Sequence, residues 1–393
     1  MRLPLSGVSV IDFSQGVAGP YGTMLMAEFG ATVVKVEPLR GDWGRTLGTP
    51  VSATESAPYL AINRNKRSIA IDLKNAECLS LAKELVAKAD VLVQNFRPGV
   101  MARFGLDYAS LAPSRPDLVY CTVSGFGSVG PAIDYPSGDS TMQAWGGLMS
   151  IVGGPDDEPT RVGNVVSDIL SGMNIFQGAL LAILERQRTG MGTEVEVSLL
   201  DSMIAFQTPA FAEFLATGQP PPRTGNDHPL VAPSGMFKTA DGSIVFSVLQ
   251  HQWADFCKFF DVPELTNDPR FAQSTDRIAN RAALNEILRR LFAAETSAEA
   301  LRRIRLCDVP CAPVNDYAAV AADAQVRQNA LLDRVEHPTL GRVPFVGTPV
   351  KVRGMEPPRN HAPRLGEHTK EVLLAAGMPV ERIAALREQG FVR

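Results

Sequence analysis

Short apolar runs alternate with amphipathic stretches over the first 125 residues of the chain. Five runs have the length and content of buried strands, at residues 8–13, 31–36, 68–73, 91–96 and 118–123. Helices are predicted at 20–29, with Pro20 as the first helical residue, and at 77–89. Strands joined through helices by short connections form parallel pairs with right-handed crossovers. The pattern predicts an α/β fold with a Rossmann-like parallel sheet, whose ligands lie beyond the strand ends, near residues 15–18 and Glu37.

The second half of the chain has a different character. Residues 219–227 contain three prolines, Gly225 and Asn226, which is typical of a linker. Residues 234–249 predict a hairpin that turns at an Asp-Gly pair, and arginine-rich helical segments follow. These elements indicate a smaller α+β domain. Two last helices are predicted at residues 369–376 and 380–389.

A long apolar segment lies between Val162 and Met203. Ser167 or Asp168 is a good N-cap for a helix that continues to Arg188, where basic residues and two glycines indicate its end. Its apolar positions go almost all the way round, which predicts a buried helix roughly 30 Å long. Asp168 then lies in the first turn, where free N–H groups and the helix dipole favour its ionised form. Such a carboxylate is a candidate nucleophile, and a capping role alone is the alternative.

Composition narrows the possible functions. The 393 residues include 38 basic and 42 acidic ones, for a net charge of −4, and no basic tract indicates nucleic-acid binding. No apolar run approaches the length of a membrane span, and the N-terminus lacks the apolar region of a signal peptide. The five cysteines are odd in number and match no zinc spacing. A reducing cytoplasm is therefore the expected location.

Several other chemistries can be considered, but the motifs they need are absent or have the wrong residues around them. Residues 125–130 match Gly-x-Gly-x-x-Gly after a strand, but Pro131 and Pro136 stand where a dinucleotide-binding helix would begin. The sequence contains no Gly-x-Ser-x-Gly elbow, Walker loop or His-Glu-x-x-His. Its five histidines are scattered, so a metal site or a Ser-His-Asp hydrolase has little support. A carboxylate remains as the reactive group.

A set of short motifs in a fixed order indicates a protein family more specifically than any one motif does. They include Ala18-Gly19-Pro20, Gly41-Asp42-x-x-Arg45, Asn63-Arg64-Asn65-Lys66-Arg67, Asn95-Phe96-Arg97-Pro98-Gly99, Ser124-Gly125-Phe126-Gly127 and Leu365-Gly366-Glu367-His368-Thr369. Together they run from residue 4 to residue 369, and the chain resembles the class III CoA-transferases. That family includes formyl-CoA:oxalate and succinyl-CoA:dicarboxylate CoA-transferases. Coenzyme A esters are its substrates, and the resemblance implies no cofactor and no metal.

The resemblance implies roles for matching positions. Asp168 corresponds to the catalytic aspartate, which attacks the acyl-CoA thioester and then carries CoA as an aspartyl-CoA thioester. Gln15 would face the reacting carbonyl, and Asp139 would help to order the site. CoA contacts are implied at Gly16, Val17, Ala18, Lys74, Asn95, Phe96 and Arg103. Candidates for holding a distal substrate carboxylate are Arg45, Arg64 and His228.

The resemblance also implies an architecture. A large Rossmann-like domain would combine residues 1–205 and 326–393, with a linker at 206–228 and a small α+β domain at 229–325. Two such chains would form an intertwined homodimer. One departure is Gly138, which stands where other members have an aromatic residue and where the racemase branch has a histidine. Another is the absence of a glycine run in residues 246–250, so a glycine-rich lid is not expected.

The expected reaction is transfer of CoA from an acyl-CoA, such as succinyl-CoA, to a small carboxylic acid. An acyl-CoA racemase on the same fold is one alternative, but it needs two proton-transfer groups beside the α-carbon, and Gly138 offers none. A non-catalytic CoA-binding protein is the other, and the presence of Asp168 argues against it.

Overall fold

The computed structural model describes residues 2–393, which divide into two compact units. The first unit comprises the chain up to Leu148, Arg161–Gly218 and Gln328–Arg393, so that both ends of the chain belong to it. The second comprises Met149–Thr160 and Gln219–Arg327. The segment Met149–Thr160 thus belongs to the second unit, although the sequence predicts it in the large domain.

A six-stranded parallel sheet forms the centre of the first unit. Its strands are β1 (Ser9–Asp12), β2 (Thr32–Glu37), β3 (Arg67–Ala70), β4 (Val91–Gln94), β5 (Val119–Ser124) and β6 (Glu194–Ser198). The order β3-β2-β1-β4-β5-β6 is that of doubly wound dinucleotide-binding sheets. The predicted α/β fold with a parallel sheet is confirmed. Strand β6 is not among the predicted strands, although glutamate and valine alternate along it.

Two cores lie on opposite faces of this sheet. Because alternate side chains of a strand point to opposite faces, Val10 and Val33 contribute to one core and Ile11 and Val34 to the other. The helices between the start of the chain and residue 217 are α1 (Ala18–Glu28), α2 (Ala57–Ile62), α3 (Ala76–Ala87), α4 (Val100–Phe104), α5 (Tyr108–Leu111), α6 (Asp139–Trp145), α7 (Leu148–Ile151), α8 (Val166–Thr189), α9 (Leu199–Phe206) and α10 (Thr208–Thr217). Residues of α1 and α8 cover the first core, and α3 covers the second.

The second unit contains a three-stranded antiparallel sheet and several helices. Its elements are β7 (Ser234–Lys238), β8 (Ser243–Ser247), α11 (Trp253–Phe259), α12 (Ser274–Ala279), α13 (Arg281–Ala293), α14 (Ser297–Leu306), β9 (Cys311–Pro313) and α15 (Tyr317–Ala322), with α16 (Ala324–Asn329) at its end. The predicted hairpin is confirmed, since Thr239 N–H donates to the Gly242 carbonyl across its turn, over 3.0 Å.

The last segment returns to the first unit. It forms a hairpin of β10 (Leu332–His337) and β11 (Gly341–Val346), followed by α17 (Thr369–Ala375) and α18 (Val380–Glu388), which confirm the two predicted terminal helices. Both helices contribute to the core over β3, through Leu373 and Leu386 among others. Arg393 N–H donates to the Ala70 carbonyl over 3.0 Å, so the end of the chain closes on β3.

Helix α8 differs from its prediction in two ways. It begins at Val166 rather than at a cap formed by Ser167 or Asp168. It is also not buried all round, because Leu181 and Leu184 are 67% and 61% exposed. Within residues 2–393 it alone is long and apolar enough to cross a membrane, by length and composition only. The core helices of soluble proteins also meet that criterion.

Candidate functional site

Two adjoining cavities open beyond the carboxyl ends of the parallel strands, where ligands of doubly wound sheets bind. The first has a volume of about 590 Å³, and we call it the Lys74 cavity. The second has a volume of about 450 Å³, and we call it the Asp168 cavity. Gln15, Arg40 and Phe96 line both, so the two cavities are neighbours, and we call them together the cleft.

Asp168 is the third residue of α8 and is partly buried in the wall of its cavity. Burial raises the pKa of Asp168 to about 7, and the nearby carboxylate of Asp139 contributes to the rise. The predicted preference of Asp168 for the ionised form is therefore wrong, because burial and a like charge outweigh the helix dipole.

The first turn of α8 is capped by a side chain from another helix. Asp139, at the start of α6, accepts a hydrogen bond from Ser167 N–H over 2.8 Å and from Ser167 Oγ over 3.1 Å. Neither Ser167 nor Asp168 is the N-cap, and the N-cap residue Val165 makes no side-chain capping bond. Asp139 therefore both anchors the helix that carries Asp168 and places a negative charge beside it.

Gln143 completes this clamp from one turn further along α6. Its Nε2 donates to Asp139 Oδ2, the carboxylate oxygen that does not bond Ser167, over 2.7 Å and to the Asn164 carbonyl over 3.1 Å. Its Oε1 accepts a bond from Val162 N–H over 2.8 Å. The side chain is fully buried and joins α6 to the segment that leads into α8. Gln143 is not among the predicted site residues, since nothing in the local sequence distinguishes a glutamine with this role.

The loop after β1 is held by side chains from other segments. Asn95 bonds Gln15 twice, accepting from its N–H over 2.8 Å and donating to its carbonyl over 2.7 Å. Gly16 N–H donates to Asp42 over 2.8 Å. Gly16 has φ +81°, and a Cβ there would lie 2.0 Å from the ring of Trp43. Glycine is therefore required at this position for both its conformation and its size.

Buried charges lie directly beneath this loop. Lys66 pairs with Asp12 over 3.1 Å, and Lys35 pairs with Asp42 over 2.8 Å while donating to the Ser14 carbonyl over 2.7 Å. Burial opposes ionisation of Asp12, but Lys66 and Lys35 hold its pKa at about 2. Burial lowers the pKa of Lys66 to about 8. Removing one member would leave an unpaired buried charge, so the network fixes the position of the loop.

The Asp168 cavity suits negatively charged groups. Val17 and Ala18 at the start of α1, and Asp168 at the start of α8, line it together. Free N–H groups and the helix dipole give the start of α1 positive potential, whereas the first turn of α8 is already bonded to Asp139. Arg40 and Arg97 also line the cavity, and neither forms an ion pair with another residue in the described range 2–393. Within that range, no group of three or more His, Cys, Asp or Glu residues could hold a metal ion.

The structure brings most of the predicted CoA-contacting residues to this cleft. Lys74 and Phe96 line the Lys74 cavity. Gln15, Val17, Ala18, Asn95 and Phe96 line the Asp168 cavity. Gly16 lies in the same loop beneath Trp43. Arg103 lies exposed in the last turn of α4 and lines neither cavity, although Val100 and Phe104 of that helix line the first.

The three predicted partners of a distal substrate carboxylate lie elsewhere. Arg45 is buried and bonds Glu37 through two nitrogens, both over 2.7 Å. Arg64 is buried and pairs with Glu28 over 2.9 Å. Neither arginine lines the cleft, because each already neutralises an internal carboxylate. His228 belongs to the second unit, where its Nδ1 accepts a bond from Leu230 N–H over 3.1 Å and supports its own turn.

Comparison with known proteins agrees with this geometry. The model of CoA-transferase family III matches residues 5–369. Acetyl-CoA:oxalate CoA-transferase of Acetobacter aceti is 38% identical over 369 residues, covering 93% of this chain and 93% of that protein. Succinyl-CoA:glutarate CoA-transferase of Mus musculus is 35% identical over 377 residues, covering 94% and 86%. A CAIB/BAIF family protein from Brucella suis has a similar structure, with a TM-score of 0.87 at 32% identity, over 96% of this chain and 100% of that one.

Proposed function

The chain belongs to CoA-transferase family III and is a CoA-transferase, and we propose that it moves CoA from a dicarboxylyl-CoA, such as succinyl-CoA, to a small carboxylic acid. The observation that carries this proposal is a partly buried aspartate, Asp168, in the wall of a cavity that adjoins a second one. Asp168 lines this cavity together with the N-terminus of α1, whose dipole favours anions. Relatives named for succinyl-CoA with glutarate and with mesaconate support the substrate class.

The proposed reaction proceeds through covalent aspartyl intermediates. The Asp168 carboxylate attacks the thioester carbonyl, forming a mixed anhydride and releasing CoA thiolate. The thiolate then attacks the Asp168 carbonyl, giving aspartyl-CoA and the free donor acid. The acceptor carboxylate attacks aspartyl-CoA to form a second anhydride, and the thiolate finally attacks the acceptor carbonyl, which restores Asp168. Each step exchanges one acyl derivative for another, so one difficult transfer is divided into easier ones.

The surrounding residues have roles in this scheme that follow from their positions. Gln15 lines both cavities and would face the reacting carbonyl. The N-terminus of α1 would stabilise the oxyanion and the thiolate as negative charge develops. Phe96 and the apolar residues of the Lys74 cavity would pack against the CoA chain, and the ammonium group of Lys74 would attract its phosphates.

Two arginines in the Asp168 cavity support an acid with a second carboxylate. Arg40 lines both cavities and so could contact either CoA or the acid, whereas Arg97 lines only the Asp168 cavity of the two. A guanidinium without an ion-pair partner in residues 2–393 is free to bind a carboxylate through two nitrogens. We therefore propose Arg97, in place of Arg45 and Arg64, as the partner of the distal carboxylate.

Assembly and location are also proposals. Leu181 and Leu184 on α8 and Leu215 on α10 are exposed, and α10 buries none of its residues. Leu181 and Leu184 are three residues apart and so share one face of α8, and an exposed apolar patch is typical of a protein interface. We propose a homodimer, intertwined as the family resemblance implies, that acts in the cytoplasm. We also propose that transfer needs no metal, and a chelator-treated enzyme should therefore remain active.

Incubation with succinyl-CoA and one acid at a time tests the proposed reaction. Oxalate, acetate, glutarate and mesaconate would be supplied in turn, and new acyl-CoA esters would be separated by chromatography. We expect a new ester and stoichiometric succinate with at least one dicarboxylate. With succinyl-CoA alone, intact-protein mass spectrometry should show CoA attached at Asp168. Hydrolysis of succinyl-CoA without any new ester would contradict the proposal.

A further inference from the structure

Some glycines near the Asp168 cavity are required by their surroundings. A Cβ on Gly125, which lines the cavity, would lie 2.2 Å from Ser137 Oγ. Gly16 has φ +81° and lies against Trp43. At both positions, packing or backbone conformation excludes a residue larger than glycine. Their identity therefore says nothing about the ligand.

Gly138 lines the same cavity, but nothing in its backbone requires glycine. Its φ of −173° is extended, and any residue can adopt it. Its N–H donates to Thr141 Oγ1 over 3.0 Å, and its carbonyl accepts from Thr141 Oγ1 over 2.7 Å and from Met142 N–H over 3.0 Å. Any amino acid other than proline could make these backbone bonds.

Packing does not require glycine there either. No atom of residues 2–393, apart from Gly138 itself and its two chain neighbours, lies within 4 Å of the position that a Cβ would occupy. The neighbouring residue, Asp139, is anchored to Ser167 and Gln143. The start of α6 is thus fixed relative to the first turn of α8. A side chain at position 138 would therefore enter open space from a fixed point in the lining of the cavity.

Unlike Gly16 and Gly125, Gly138 is not required by backbone conformation or packing. We infer that the absence of a side chain at Gly138 determines the size of acid that the enzyme accepts. It leaves room for dicarboxylic acids with several carbons between their carboxyl groups. The inference rests on the proposed function and specifies its substrate class. The acid reacts at Asp168 and extends along the cavity, and Arg97 lines the same cavity as a partner for the second carboxylate. A two-carbon acid would leave that space empty.

Substitutions of graded size at Gly138 test this inference. Gly138→Ala, Gly138→Val and Gly138→Tyr would be compared with wild type for kcat/KM on oxalate, succinate, glutarate and adipate, with one donor CoA ester. One methylene in a pocket changes such ratios by about 10-fold to 200-fold. We expect the ratio of kcat/KM for glutarate over oxalate to fall about tenfold in the valine variant. It should fall further in the tyrosine variant, whereas oxalate transfer changes little.

Gly163 provides the matched control. No atom of residues 2–393 outside its chain neighbours lies within 4 Å of a Cβ at this position either, its φ is not positive, and it does not line the cavity. The same three substitutions there should leave the glutarate-to-oxalate ratio unchanged. Circular dichroism and the midpoint of thermal unfolding would confirm that each variant folds, and the alanine variant remains informative if tyrosine prevents folding.

Different results would overturn the inference and the proposed function. A glutarate-to-oxalate ratio that stays constant in folded Gly138 variants, or that changes equally in Gly163 variants, would overturn the inference and leave the proposed reaction intact. Failure of the wild-type enzyme to transfer CoA to any acid would overturn the proposed reaction itself.

Discussion

Two opposing effects act on the carboxyl group of Asp168. The N-terminus of a helix stabilises a negative charge by about 0.3–1 kcal/mol. A rise in pKa from 3.8 to about 7 corresponds to roughly 4 kcal/mol in the other direction at most. Burial and the charge of Asp139 therefore outweigh the helix dipole, and the carboxyl group of Asp168 titrates near neutral pH. A less stable carboxylate is also a more reactive one, which suits a nucleophile.

The change Asp168→Asn separates catalysis from stability. An amide cannot form the mixed anhydride, so CoA transfer should fall by at least about three orders of magnitude, since covalent catalysis is lost. Asp201→Asn is the matched control, because Asp201 is also the third residue of a helix, α9, and lines neither cavity. It should transfer CoA at the wild-type rate. Near wild-type transfer by Asp168→Asn would rule out the covalent mechanism.

The raised pKa of Asp168 predicts the effect of pH on rate. Only the ionised carboxylate attacks the thioester, so kcat/KM should rise with pH and reach half of its maximum near pH 7. Asp139→Asn removes the neighbouring charge that contributes to the raised pKa, so its midpoint should move to lower pH. Rates measured from pH 5 to 9 would test both statements. An unchanged midpoint in the variant would show that Asp139 has no electrostatic influence on Asp168.

The same pKa predicts an effect of pH on stability. The folded protein binds this proton more tightly than the unfolded chain, whose pKa is about 3.8. The stabilisation it provides is complete below about pH 4 and is lost as pH rises through about 7. At pH 8, Asp168→Asn should therefore be more stable than wild type, by about 1 kcal/mol after allowance for partial exposure. A higher midpoint of thermal unfolding at pH 8, but not at pH 4, would be the expected result.

At the scale of elements, helix α8 depends on α6 for its position. Asp139 and Gln143 supply the hydrogen bonds that the sequence of α8 itself does not provide, and these bonds connect residues up to 28 positions apart. The positive end of α8 is thereby satisfied without a local cap, which leaves Asp168 free to face the cavity.

Gln143→Leu tests this dependence. It removes every bond of the amide and leaves buried groups without partners, at a cost of about 1–3 kcal/mol in the free energy of unfolding. Because Asp139 and the first turn of α8 lose their anchor, kcat should fall and the pH midpoint of activity should shift. Gln207→Leu is the control, since Gln207 is also buried and donates to two carbonyls, of Gly146 and Met203. It should lose similar stability but keep the pH midpoint of wild type.

At the scale of the whole molecule, the exposed apolar residues on α8 require an explanation. A helix that would be buried all round by its sequence exposes Leu181 and Leu184 in the single chain. Apolar side chains grouped on one face in this way favour association over exposure to water.

Charged substitutions on this face test the proposed homodimer. Leu181→Asp and Leu184→Asp should each weaken assembly, because association would bury an unpaired charge. Light scattering of a dilution series should show a dimer for wild type and a smaller species for the variants. Leu306→Asp, at an exposed leucine of the second unit, is the control and should not change the mass. A wild-type protein that is monomeric at all concentrations would contradict the proposal.

The sequence by itself determined the elements that depend on local pattern. Five of the six parallel strands, the hairpin of the second unit and the two terminal helices follow from periodicity and turn residues, which act between near neighbours in the chain. The family also followed from the sequence, because its motifs keep a fixed order. Asp168 could be selected as a candidate nucleophile on the same basis.

Only the tertiary structure decided which charged groups face the cleft. Arg45 and Arg64 match family motifs, yet folding pairs them with Glu37 and Glu28 in the interior. Arg97 instead lines the Asp168 cavity. The protonation of Asp168 depended on its burial and on a carboxylate 29 residues earlier in the chain, at Asp139. Burial, partner and cavity are properties of groups that lie far apart in sequence, so no local pattern could have determined them.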